Sequence, residues 1–199
     1  RISMSQSKDY TFIREYLHYN FGLELPEKLR PLTSSKLSLF AKKYKIKDWV
    51  SFLSGLKKSL NDEIVDDFID IFVVGHTSFF RNRKQFDFLK KTILPEFLST
   101  NSSNETIDLR IWSAGCSTGE EPYSILISLM EYFGKNYSDI ICGVLATDIS
   151  QKSLDNAIRG QYANVKAGSK IKQYLAPYIR NVGDETFEIK KSVRKEVTF

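Results

Sequence analysis

Ile111-Trp112-Ser113-Ala114-Gly115-Cys116-Ser117-Thr118-Gly119-Glu120-Glu121-Pro122 runs from an apolar stretch into a turn of small residues and straight into a helix start. Gly115 and Gly119 can take backbone conformations closed to bulkier residues and let the main chain approach a ligand. Ser117 or Thr118 can cap the helix, and Pro122 suits its first turn. Around this turn, Ile107 to Ser113 reads as a strand and Pro122 to Phe133 as a helix with Ile125, Leu129 and Tyr132 inward. Ile140 to Thr147 reads as a second apolar strand, and Ser150 to Ile158 as a further helix. Strand, helix, strand, helix in that order implies an α/β fold with a parallel sheet and right-handed crossovers. In such a sheet a nucleotide-like ligand sits over the carboxyl ends of the strands.

The turn is not a phosphate cradle, because it lacks the Gly-Lys-Ser or Gly-Lys-Thr of a Walker loop. Glu120 and Glu121 follow directly and would repel a pyrophosphate, whereas they suit a ligand carrying an ammonium or a sulfonium. Acidic residues also favour a helix N-terminus for its own sake, and for Glu121 alone that suffices. Asp148, at the end of the second strand in Ala146-Thr147-Asp148-Ile149-Ser150, can accept hydrogen bonds from both hydroxyls of a ribose. It can equally cap the following helix. Turn and aspartate together point to a nucleoside, without separating nicotinamide from S-adenosylmethionine.

The flanks read differently. Apolar stripes Phe12-Ile13-Tyr16-Leu17, Leu32-Leu37-Leu39-Phe40-Tyr44, Trp49-Phe52-Leu53-Leu56 and Ile64-Phe68-Ile71-Phe72 describe a small helical bundle, with Thr33, Ser34 and Ser35 as a cap for the second helix. Lys84 to Leu98 forms another helix, with Phe86, Leu89, Ile93 and Phe97 on one face and Pro95 bending or breaking it. Residues 99–106 are a polar loop. Beyond Tyr162, Lys170 to Leu175 suggests a short helix, and Thr186 to Lys190 and Val193 to Phe199 suggest strands, with a turn at Gly183-Asp184. The domain expectation is a helical domain over 1–82 and a second, partial α/β domain over 83–199, with a β-subdomain at about 167–199.

No apolar run approaches the roughly 20 residues that a helix needs to cross a bilayer, and no signal sequence opens the chain. Cys116 and Cys142 lie far apart with no histidine at zinc spacing, so no metal and a reducing cytoplasm are expected. From Lys28 to Lys58 the charge is basic, with Lys36, Lys42, Lys43, Lys45 and Lys47 at its centre and Asp48 alone against it. Asp62, Glu63, Asp66, Asp67 and Asp70 then reverse the sign. Such a patch can steer an acidic partner, although on charge alone a solvated helix surface is the simpler reading.

Thr77-Ser78-Phe79-Phe80-Arg81 and the run from Arg110 to Ser124 resemble the two signature segments of the CheR chemotaxis receptor methyltransferases. Ala146-Thr147-Asp148-Ile149, with Leu154, Ala157, Gly160 and Tyr162, resembles the family's next block. The resemblance implies a Rossmann-like S-adenosylmethionine-dependent methyltransferase domain behind an N-terminal helical bundle, with a small β-subdomain. It implies cofactor contacts at Thr77, Arg81, Ala114, Gly115, Gly119, Glu120 and Asp148, with Arg81 pairing the cofactor carboxylate and Asp148 on the ribose. His76 reads as structural, and so does His18. The activity implied is methyl esterification of glutamate on the cytoplasmic domain of methyl-accepting chemoreceptors, for sensory adaptation, leaving S-adenosyl-L-homocysteine. The basic stretch would dock the receptor. Gly75 stands where the family usually carries Asn, and the family's Asn-Leu and Arg-Asn segments would follow Phe199. A chain opening at Arg1 and closing there reads as trimmed, with weaker cofactor binding than the whole protein.

Two other classes share some of these features. A nucleic acid methyltransferase would use the same cofactor fold and a basic face, but the aromatic-basic alternation of a nucleic acid binder is missing. A non-catalytic module that binds receptor or cofactor is the other. Neither nucleic acid nor membrane insertion is expected of the first reading.

Overall fold

The computed structural model describes residues 8–56, 63–73, 75–101, 107–163 and 168–199, without the side chains of 8 and 168–170. Lys57, Lys58 and Asp62 of the charge pattern, 102–106 of the polar loop and Ala167 lie outside the described residues. The chain divides into two compact units, Arg1–Val74 and Gly75–Phe199.

The first unit is helical: α1 (Lys8–Phe21), a 3₁₀ turn (Glu27–Leu29), α2 (Arg30–Lys43), α3 (Trp49–Leu56) and α4 (Glu63–Asp70). Its core gathers Ile13, Leu17, Leu37, Phe40, Trp49, Leu53, Val65 and Phe68. Phe40 packs 5.6 Å from Phe68, centroid to centroid, in the tilted geometry that aromatic pairs favour. α2 begins earlier than expected, at Arg30 with Pro31 in its first turn, so Thr33, Ser34 and Ser35 lie inside the helix and cap nothing. A proline in the first turn gives up only an N–H that would have no intrahelical partner. Leu32 and Leu39, expected in the core, are 60% and 69% exposed, because Ala41 completes the buried face instead. On α4 the buried stripe is Val65, Phe68 and Ile69, while Ile64, and Ile71 just beyond the helix, are half-buried.

The second unit opens on an irregular segment and α5 (Arg83–Phe88), a π turn (Leu89–Ile93) and α6 (Leu94–Thr100). The π turn answers Pro95. The Leu94 N–H reaches back five residues to Leu89 O, and the chain thereby absorbs the donor that Pro95 lacks. One extra residue in the turn rotates the next positions, so Leu94 is fully buried and the expected Ile93 is 43% exposed.

β1 (Ile107–Ala114) and β2 (Ile140–Thr147) pair in parallel along their whole length, with α7 (Glu120–Phe133) between them in sequence. α8 (Gln151–Arg159) follows β2. β3 (Gln161–Ala163), α9 (Gly168–Leu175), β4 (Ile179–Asn181), β5 (Thr186–Ile189), α10 (Lys191–Arg194) and β6 (Val197–Thr198) complete the unit. β6 joins the parallel sheet in the order β1-β2-β6, and β3-β5-β4 form a separate antiparallel sheet. The closing segment therefore differs from the single strand expected over Val193 to Phe199. Val193 is buried on a short helix whose N–H groups return to Lys190 O, and only Val197–Thr198 is strand. Valines four apart present one face in either conformation, so spacing alone does not separate the two. α7 buries Tyr123, Leu126, Ile127 and Leu129, whereas Ile125 and Tyr132 sit half-buried at its flank.

Candidate functional site

The turn leaves the carboxyl end of β1 through three left-handed residues: Gly115 (φ 74°), Ser117 (φ 48°) and Gly119 (φ 92°). It is laced to the neighbouring strand, since the N–H groups of Gly115 and Cys116 both donate to Thr147 O, at 2.8 and 2.9 Å. Trp112 Nε1 donates to Thr147 Oγ1 at 3.0 Å from the same strand end. Gly119 is itself the N-cap of α7 and offers no side chain, so the expected cap by Ser117 or Thr118 does not form. The Thr118 hydroxyl donates instead to Glu120 Oε2 at 2.6 Å. Gly119 is required for space as well as for φ, because a Cβ there would lie 2.7 Å from Ala157 Cβ and 3.0 Å from the Tyr162 hydroxyl.

Asp148 closes the other side. Its Oδ2 accepts from Ser117 N at 2.7 Å and its Oδ1 from Ser150 N at 2.9 Å. The cap of α8 belongs to Ser150, whose Oγ accepts from Ser153 N at 3.1 Å. Asp148 is thus a tether between turn and helix start. Each carboxylate oxygen keeps further acceptor capacity, enough for two hydroxyl groups. Glu120 is fully buried, while Glu121 lies at the surface and accepts from Ser113 Oγ at 2.7 Å.

Thr77 and Arg81 sit on the segment anchored to the start of α7. Phe80, at φ 51°, donates its N–H to Ser124 Oγ at 3.0 Å, and Ser124 Oγ donates to Glu120 O at 2.6 Å. Phe79 packs edge-on to Tyr162 with centroids 4.9 Å apart. Thr77 is half-buried, and the exposed Arg81 donates from Nη1 to His76 O at 2.7 Å. Gly75 begins the segment, and a Cβ there would lie 3.1 Å from Ser117 Oγ. Ala114, Gly115, Gly119, Glu120 and Asp148 thus gather at one end of the sheet, with Thr77 and Arg81 on the adjoining strip. Sequence reasoning offered Ser117 only as a helix cap and gave Ser124 and Tyr162 no role of their own. Tyr162 donates from its hydroxyl to Thr118 O at 2.7 Å and so ties β3 to the turn. Its place in the Gly160-Gln161-Tyr162 sequence carries no spacing signal for that contact.

Cys116 is a buried free thiol. Burial first, and the Asp148 charge second, push its thiol from an ordinary 9.0 up to about 11. A raised acid of this kind supports the fold fully below about pH 9 and loses that support as pH climbs toward 11. We expect Cys116 to resist iodoacetamide at pH 8 in the folded protein and to react within minutes in urea. Equal labelling in both states, read by mass spectrometry, would place the thiol at the surface.

The arrangement fits an adenosyl sulfonium: open space at Gly115 that admits a close ligand, a tethered carboxylate for a ribose, and acidic residues for a positive centre. Among the described residues no group of three or more His, Cys, Asp or Glu side chains is placed to hold a metal. The model of the family described as "CheR methyltransferase, SAM binding domain" matches residues 75–199. A chemotaxis protein methyltransferase of Borreliella burgdorferi is 37% identical over 183 residues, covering 92% of this chain and 65% of that protein. One of Listeria monocytogenes is 31% identical over 192 residues, covering 96% of this chain and 69% of the relative. Chemotaxis protein methyltransferase Cher2 of Pseudomonas putida is 28% identical over 194 residues, with 96% and 70% covered. The chain therefore spans about two thirds of the length of these relatives. Because the matched span opens at Gly75 and takes in the strip, the glycine turn and Asp148 together, the chain belongs to the CheR methyltransferase family.

Proposed function

We propose that the protein transfers a methyl group from S-adenosylmethionine to glutamate side chains of a chemoreceptor's cytoplasmic domain, in the cytoplasm. The observation that carries the reading is the tether of Asp148 to Ser117 N, which holds a carboxylate in line with the turn at the carboxyl end of the sheet. Thr77, Arg81, Ala114, Gly115, Gly119, Glu120 and Asp148 are the proposed cofactor contacts. A glutamate carboxylate is ionised at neutral pH, so the reaction needs no general base. The enzyme aligns oxygen, methyl and sulfur and strips water from both charges. A buried, protonated Cys116 beside the turn agrees with a mechanism that uses no protein nucleophile.

Incubation of the full-length protein with methyl-labelled S-adenosylmethionine, receptor fragments and RNA separates the readings. Label in an alkali-labile ester on the receptor supports esterification. Label in RNA would favour a nucleic acid methyltransferase, and none in either would favour a binding module.

The basic face of the helical unit is the proposed docking surface, formed by Lys36, Lys42, Lys43, Lys45 and Lys47. Two of these lysines also serve the fold. Lys43 Nζ pairs with Asp67 Oδ2 at 2.5 Å, and Lys36 Nζ donates to Ile71 O at 3.1 Å. Docking is therefore tested best at exposed Lys42. Lys42→Glu should slow receptor methylation several-fold at low salt, with little effect at high salt and none on the melting temperature. Lys43→Glu should destabilise the helical unit by facing Asp67 with a like charge. An unchanged methylation rate for Lys42→Glu at low salt would remove this face from the account.

A further inference from the structure

Away from the glycine turn, the second unit holds a cavity of about 370 Å³ between α5, the π turn and α9. None of the proposed cofactor contacts lines it. Its base is aromatic. The Phe80 ring lies 5.1 Å from Phe86 and 5.0 Å from Tyr174, centroid to centroid, and both meet it edge-on. Phe80 is buried, whereas Phe86 and Tyr174 keep part of their surface open. The volume falls within the range of small-molecule sites, about 300–1,000 Å³.

The mouth is charged. Arg83, Asp87 and Lys90 line it, four and then three residues apart along one helical run. Opposite charges at that spacing ordinarily pair, and an acid placed before the lysine is the favoured order. Among the described residues, however, no ion pair joins Asp87 to either cation. Arg83 and Asp87 are exposed and Lys90 is half-buried. The aromatic base thus carries three charges, in the order cation, acid, cation, that leave each other alone.

That order selects a ligand. The aromatic base suits a flat ring. Lys90 donates only, and Asp87 accepts only, so the ring must present an acceptor beside N–H donors. Guanine does so along one edge, with O6 next to N1–H and N2–H, and a carboxylate can accept from both donors together. Adenine reverses the pattern, with an amine where guanine has O6. Past the guanine amine comes the ribose and then the phosphate, and Arg83 stands at that end with a fork that matches phosphate oxygens. A simple aromatic acid would satisfy the cations and leave Asp87 facing its ring.

We propose that this cavity is a second ligand site, for a guanine mononucleotide, with the base over Phe86 and Tyr174, its O6 on Lys90, its N–H edge on Asp87 and its phosphate on Arg83. The inference goes beyond the methyl transfer proposed above and does not depend on it.

Calorimetric titration of the full-length protein with guanosine monophosphate, adenosine monophosphate and guanosine tests this, with and without saturating S-adenosylhomocysteine. Guanosine monophosphate should bind at least about tenfold more tightly than either of the other two, as expected for hydrogen bonds to charged groups, and equally well with the homocysteine compound present. Arg83→Ala should weaken guanosine monophosphate by about tenfold and guanosine by less than twofold. Asp87→Asn should weaken guanosine monophosphate by about tenfold and adenosine monophosphate by less than twofold. Both side chains are exposed, so both variants should melt with the parent. Absence of binding by guanosine monophosphate overturns the proposal, and so does its displacement by S-adenosylhomocysteine, which would place it in the adenosyl site. Equal losses for all ligands in either variant would reduce the contact to general charge attraction and overturn it as well. A protein that binds guanosine monophosphate in this pattern but not S-adenosylhomocysteine would uphold this site and overturn the adenosyl one.

Discussion

Gly119→Ala should cost the fold about 2–5 kcal/mol and remove measurable binding of S-adenosylmethionine. The new Cβ would lie 2.7 Å from Ala157 Cβ and 3.0 Å from both Ala157 Cα and the Tyr162 hydroxyl. Two of these atoms are backbone or a backbone-fixed Cβ on α8, so the turn must move away from α8. Overpacking of this kind costs about 1–3 kcal/mol, and a left-handed φ of 92° adds about 1–2 more for any residue with a Cβ. Moving the turn also breaks the Tyr162 bond to Thr118 O and lifts the N-terminus of α7 from the ligand. Gly115→Ala is the matched control. It shares the positive φ, at 74°, but its Cβ would meet nothing within 4 Å. Its cost should be the conformational part alone, about 1–2 kcal/mol, with cofactor binding reduced and still measurable. Thermal melts read beside calorimetry decide the matter, and equal penalties for the two variants would show that space at α8 is irrelevant.

Asp148→Ala should raise the dissociation constant for S-adenosylhomocysteine by about 100-fold or more. The carboxylate receives the N–H groups of Ser117 and Ser150, so its removal frees the turn and the start of α8 together. Loss of two hydrogen bonds from the ligand's hydroxyls to this charged acceptor, at about 1.5–3 kcal/mol each, gives the stated factor even before the turn relaxes. Asp148→Asn should recover little. An amide has one acceptor oxygen, whereas the structure asks for an acceptor at both positions, and its NH₂ would face either Ser117 N–H or Ser150 N–H. Near-parent affinity in Asp148→Asn would mean that neither tether matters to the ligand.

Much of this was legible because two periodicities and one turn dominate the chain. The alternating strand over Ile107–Ala114, the apolar strand over Ile140–Thr147 and the small residues after the first of them leave few alternatives to a parallel βαβ unit. The aspartate at the end of the second strand followed from that frame. What escaped the sequence is what depends on contacts across it. Nothing local marks Pro95 for a π turn rather than a break, because the outcome depends on burying Leu94 at the expense of Ile93. The α2 stripe misplaced Leu32 and Leu39, since a small Ala41 rather than a large residue completes the buried face. Ser117 looked like a cap, and its actual work depends on Asp148, 31 residues away.

A crystal structure of the full-length protein with S-adenosylhomocysteine tests the central claim most directly. The account predicts both ribose hydroxyls about 3 Å from the Asp148 carboxylate, with the Gly115–Gly119 backbone against the ligand. An adenosyl group bound away from that turn, or a ribose that leaves Asp148 bonded to Ser117 and Ser150 alone, would contradict it.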